Sequence, residues 1–125
     1  MSSRLLSPFL ALCICCALPG TASAAASALV ARLDELPASP TVNQFYALPL
    51  KVSDANGVAL AGLKLQIRGR MPEHSHGLPT APRIVDQGEG RYLIEGLSFN
   101  MPGRWVIEIL HDGEAVLRQE LTVRF

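Results

Sequence analysis

Two histidines and two methionines are the residues of this chain best suited to chemistry. His74 and His76 sit one residue apart in the run Met71-Pro72-Glu73-His74-Ser75-His76-Gly77, and Met101 opens Met101-Pro102-Gly103. Imidazoles bind copper in either oxidation state, and thioethers are soft donors that select Cu(I). A single intervening residue puts His74 and His76 on the same side of an extended segment. Proline follows both Met71 and Met101, which limits backbone freedom and lowers the entropy lost on assembling a site. Met71, His74, His76 and Met101 are therefore candidate metal ligands, with copper as the expected ion. Glu73 is placed to serve as an outer partner of the site or a harder ligand, with a simply solvated side chain as its plain role. Trp105, four residues past Met101, is placed to lie beneath the site, where a ring face attracts a cation. Each residue also has a plain structural role open to it. His-x-His occurs in exposed loops, a turn Met packs the rim of a core, and Trp is usually a core residue.

Whether the four residues meet depends on the elements that carry them. From residue 29 onward the pattern has period two, the signature of half-buried strands. Tyr46, Leu48, Leu50 and Val52 share a face. Leu63, Leu65 and Ile67 alternate with Lys64, Gln66 and Arg68. Tyr92 and Ile94 alternate with Leu93 and Glu95. Trp105, Ile107 and Ile109 alternate with Arg104, Val106 and Glu108. Leu117, Leu121, Val123 and Phe125 share one parity. Residues 29–33 make a first strand and 83–86 a short edge strand. Asp54-Ala55-Asn56-Gly57 reads as a hairpin turn, because Asn-Gly accepts positive φ. Turns at 87–90, 100–103 and 112–113 follow from Gly and Pro. Seven short strands in about 100 residues predict an all-β, immunoglobulin-like antiparallel β-sandwich. The segment 71–82 contains three prolines and is too long for a tight turn, which marks it as an ordered loop with a function. With strands running alternately up and down, the 71–82 loop and the 100–103 turn fall at one end. Met71, His74, His76 and Met101 then share that end, and His111 lies at the other.

Composition narrows the function classes. The chain has 125 residues, with 11 basic and 11 acidic side chains. That balance argues against a nucleic-acid partner, which requires a basic surplus. The apolar content argues against disorder. Arg4 is followed by an apolar run over 5–18, then Pro19-Gly20, then Thr21-Ala22-Ser23-Ala24. This is the layout of a cleavable export signal, with cleavage near Ala24. The apolar run is shorter than the roughly 20 residues of a membrane span. Leu12 and Cys15 precede Cys13 and Cys16, where lipoprotein processing needs a small residue. The reading divides the chain into a signal, 1–24, and one domain, 25–125, released into the periplasm without a stable membrane anchor. Cys13, Cys15 and Cys16 leave with the signal, so the mature domain folds without disulfides. With no Cys nucleophile, and no carboxylate evident to orient a histidine beside Ser75, no enzymatic activity is expected.

The pieces Asp54-Ala55-Asn56-Gly57, Met71-Pro72-Glu73-His74-Ser75-His76-Gly77, Gly90-Arg91-Tyr92 and Met101-Pro102-Gly103-Arg104-Trp105 together resemble the YtkA-like domain family, which is related in pattern to FixH-type proteins. The resemblance spans 41–125. It implies an immunoglobulin-like sandwich, exported or membrane-tethered, and its FixH-type relatives imply copper handling during assembly of a respiratory oxidase. No transmembrane helix is expected after the signal, a departure from FixH. The expected function is to bind or carry Cu(I) for delivery or tolerance, with a copper-donating or copper-accepting periplasmic or membrane protein as partner. The alternative is a metal-free interaction module that docks a protein through the 71–82 loop or a sheet edge.

Overall fold

The computed structural model describes residues 28–125. The expected signal, 1–24, lies outside the described residues. Among the described residues, eight strands form two four-stranded antiparallel sheets. The first sheet has the order β1 (Val30–Leu33), β2 (Phe45–Ser53), β6 (Arg91–Ser98), β5 (Arg83–Gly88). The second has the order β4 (His76–Gly77), β3 (Leu65–Met71), β7 (Gly103–His111), β8 (Glu114–Val123). Among the described residues no helix is long and apolar enough to cross a membrane.

The period-two pattern becomes the core. Leu48, Leu50 and Val52 of β2, Tyr92 and Ile94 of β6, and Trp105, Ile107 and Ile109 of β7 are all buried between the sheets. Phe99 packs edge-on against Trp105, with ring centres 5.2 Å apart, a geometry aromatic quadrupoles favour. Burying each large side chain contributes roughly 1.5–3 kcal/mol. That is how a domain of this size can hold together on packing alone.

Three features depart from the pattern expected of the sequence. Seven strands were expected; the eighth, β4, is a two-residue strand inside the 71–82 loop. The 54–57 turn forms, with Asp54 Oδ1 accepting from the backbone of Asn56 and Val58 at 2.8 and 2.9 Å. It does not join paired strands, however. After an isolated bridge between Ser53 and Ala59 the chain crosses to the other sheet. Third, parity fails at Val106, Glu108 and Phe125. Val106 and Glu108 point outward yet are buried, because Arg68, Arg70 and Arg118 of the flanking strands lie around them and long aliphatic stems cover what lies between. Phe125 lies beyond the end of β8 and is exposed.

Two of the hairpin turns are built as their sequences require. Asp112 and Gly113, between His111 and Glu114, both have positive φ, at 50° and 81°. Glu89 and Gly90, at 57° and 75°, join β5 to β6 in the same way. Two successive positive φ angles match the right-handed twist of the flanking strands.

Candidate metal centre

β3 fixes the position of Met71. Ile67, Gly69 and Met71 share inward parity, and Met71 is 3% exposed, the last core residue of its strand. Met71 therefore lines the interior wall under the loop instead of opening into the loop itself. The same period-two count from Leu65 was available in the sequence and points to this orientation.

β4 fixes the position of His76. The chain reverses after Met71, with the His74 amide donating to the Met71 carbonyl at 3.2 Å. It then pairs back on β3, with Gly77 opposite Arg70 and His76 opposite Met71. Directly opposed residues project from the same face of a sheet. His76 and Met71 thus share a face at the edge of the second sheet, Met71 buried within the sandwich and His76 exposed. Gly69 makes this return possible. A β-carbon there would fall 2.6 Å from Leu78 Cγ, and Leu78 packs against the core at that place. Farther along, the Thr80 hydroxyl donates to the Gly96 carbonyl at 2.6 Å and ties the loop to the first sheet.

Met101 approaches from the other connection at this end. The Trp105 indole N–H donates to the Met101 carbonyl at 3.0 Å, fixing the turn over the buried ring. Gly103, with φ at 128°, lies so close to Met71 that a β-carbon there would be 2.9 Å from Met71 Cε. The turn carrying Met101 is therefore packed on the methionine that faces His76. Met101 is half-buried against the core.

The strand register thus brings Met71, His74, His76 and Met101 to one end of the sandwich, while His111, opposite Leu65, stands at the other. The imidazoles of His74 and His76 are exposed, with ring centres 6.2 Å apart and planes tilted by 46°. With metal–nitrogen bonds of roughly 2 Å, that spacing is near the upper limit for two imidazoles sharing one ion. Among the described residues no three His, Cys, Asp or Glu side chains converge on a common point. The further donors at this end are the thioethers of Met71 and Met101, soft ligands of the kind that select Cu(I). Glu73 is turned toward Arg104, at 3.8 Å. Trp105 is fully buried and supports the Met101 turn from below.

Comparisons with known proteins bear on the architecture. No family model and no curated protein matches the chain. Among solved structures it is similar to the filamin domain of Lin-41, with a TM-score of 0.60 and 15% identity over 79% of this chain and 94% of that one. It is also similar to the Escherichia coli adhesin FdeC, with a TM-score of 0.58 and 19% identity over 79% of this chain and 32% of that one. The Yersinia pseudotuberculosis adhesin InvE gives a TM-score of 0.55 and 19% identity over 78% of this chain and 25% of that one. The chain therefore spans only a minor part of either adhesin. At these identities the likeness is one of fold, and it defines the domain as an immunoglobulin-like β-sandwich.

Proposed function

We propose that this chain is an exported, non-enzymatic domain of the YtkA-like type that binds Cu(I) and passes it to a partner protein. The observation that carries the reading is the opposition of Met71 and His76 across β3 and β4, with the Met101 turn packed on Met71 through Gly103. His74 and His76 are the accessible donors, Met101 lies at the rim, and Met71 is the sulfur at the base. Open imidazoles above one half-buried thioether, Met101, and one buried thioether, Met71, suit a carrier, because an acceptor can reach the ion from the histidine side. The export signal read in residues 1–24 supports a periplasmic location, and domains of the same fold in two bacterial adhesins are in keeping with export. The test is an NMR titration of the purified protein with Cu(I) under anaerobic conditions. The methyl signals of Met71 and Met101 and the ring signals of His74 and His76 should move together and stop at one equivalent. Movement of the histidine signals alone would reject the mixed-donor site.

A second reading, a metal-free interaction module, is favoured by Phe45. This residue begins β2 opposite Ser98, at the same end as the histidines, and is 73% exposed. Such a ring is a natural anchor for a protein partner. Capture of one partner equally by wild type and by a His74→Ala/His76→Ala variant, with Phe45→Ala abolishing it, would support this reading over the first.

A further inference from the structure

Three cations stand in a single row on the outer face of the first sheet. Arg32 of β1 is opposite Lys51 of β2, and Lys51 is opposite Arg91 of β6. Like charges placed directly across a ladder destabilise it. The second sheet shows the usual solution: its row Arg68–Glu108–Arg118 puts a carboxylate in the middle. In the first sheet the middle position is Lys51, and the carboxylates stand at the flanks. Asp34 reaches Lys51 at 3.1 Å and Arg32 at 3.6 Å. Glu89 reaches Arg91 at 2.9 Å, but its side chain is 82% exposed, so water screens the pair. Two flanking carboxylates thus serve three aligned cations.

The row also borders a concavity. Arg32, Lys51 and Arg91 line an open cavity of about 370 Å³, together with Val30, Ser53, Gly90 and the exposed Glu89 that pairs with Arg91, so three cations face one carboxylate there. Guanidinium forks grip a tetrahedral oxyanion with paired hydrogen bonds, and an ammonium between them adds a point charge. A serine hydroxyl adds a further donor. The volume falls within the range of roughly 300–1,000 Å³ typical of small-molecule sites, and it is more than a bare ion fills.

We propose that this concavity is an oxyanion site that takes the phosphate group of a sugar-sized molecule. The phosphate sits over Lys51 between the two arginines, and its carrier lies over Val30 and Gly90. The site is on a sheet face formed by strands other than those of the metal centre, and it stands independently of the copper reading.

The test is an amide NMR titration of the purified protein with inorganic phosphate, glucose 1-phosphate and glucose. Glucose 1-phosphate should shift the signals of Lys51, Gly90 and Arg91 saturably, more tightly than inorganic phosphate, while glucose shifts nothing. Lys51→Gln should weaken glucose 1-phosphate at least tenfold, and Arg118→Gln, on the opposite sheet, should leave it unchanged. Lys51→Gln should also melt close to wild type, since losing the partly exposed Asp34 ion pair is offset by removing the like-charge contacts with Arg32 and Arg91, which separates lost binding from lost folding. Equal affinity for inorganic phosphate and glucose 1-phosphate would overturn the sugar-sized carrier. Non-saturating shifts spread over both sheets, or an unchanged affinity in Lys51→Gln, would overturn the site.

Discussion

Met71 and His76 stand directly opposite each other across β3 and β4, one side chain buried in the core and the other open to solvent. The pair joins the packing of the sandwich to the chemistry of its end. A change at Met71 acts on both, whereas a change at His76 acts on the site alone. Met71→Leu keeps the volume and should cost less than about 1.5 kcal/mol. Met71→Ala should cost about 2–5 kcal/mol, as read by denaturant unfolding. His76→Ala should leave stability within about 0.5 kcal/mol of wild type. Equal losses for Met71→Ala and His76→Ala would contradict the buried position of Met71.

Gly103 couples the Met101 turn to Met71, and its substitution should show this. Gly57 and Gly103 both have positive φ, at 82° and 128°, but a β-carbon at Gly57 meets nothing within 4 Å and one at Gly103 meets Met71 Cε. Gly57→Ala should cost about 1–2 kcal/mol, the backbone penalty alone. Gly103→Ala adds overpacking of roughly 1–3 kcal/mol. A thermal melt of each variant checks the order, and equal losses would show that the Met71 contact is relieved without cost.

Tyr92 anchors the crossing between the sheets. Its ring is buried, and its hydroxyl donates to the Leu60 carbonyl at 2.8 Å while accepting from the Leu63 amide at 3.1 Å. Tyr92→Phe leaves both backbone groups short of a partner and should destabilise by about 1–3 kcal/mol. Faster hydrogen exchange confined to 60–63 would place the loss at this crossing; uniform acceleration would not.

Glu108 should make the second sheet sensitive to acid. A hydrogen bond from Arg68 lowers its pKa below the ordinary value of 4.5; burial opposes the shift, and the charges of Arg68, Arg70 and Arg118 add to it. A depressed carboxylate pKa stabilises the fold above the unfolded value, and that contribution is lost as pH falls through the folded value. Wild type should therefore exceed Glu108→Gln in stability at neutral pH, and the gap should close as pH falls below the ordinary carboxylate range. Urea unfolding at pH 7 and in strong acid measures it. A gap of constant size would rule out the linkage.

The fold was readable because two-sided strands write their orientation in period two, as Tyr92 and Ile94 or Trp105, Ile107 and Ile109 show. The sheet each strand joins was not readable. Asn56-Gly57 looks like a hairpin in sequence, yet β2 and β3 part. The 60–63 segment is held instead by Tyr92 and by the Asp86 carboxylate, which accepts from the Gly62 amide at 2.6 Å. Those partners are distant in the chain, and no local pattern encodes them. At the candidate site, the shared end of Met71, His74, His76 and Met101 followed from counting strands. The two-residue β4 did not, because its pairing depends on Gly69 making room for Leu78. The cation row of Arg32, Lys51 and Arg91 was equally hidden, since strand register sets it and spacing does not.

Under the proposed function, imidazole and thioether at this end bind one copper ion together. The direct measurement is an anaerobic competition of the purified protein against a colorimetric Cu(I) chelator, run on wild type, His76→Ala and Met101→Leu. Wild type should withdraw one equivalent from the chelator, and each variant should bind at least tenfold more weakly with its folding intact. No withdrawal by wild type, or equal withdrawal by all three proteins, would contradict it.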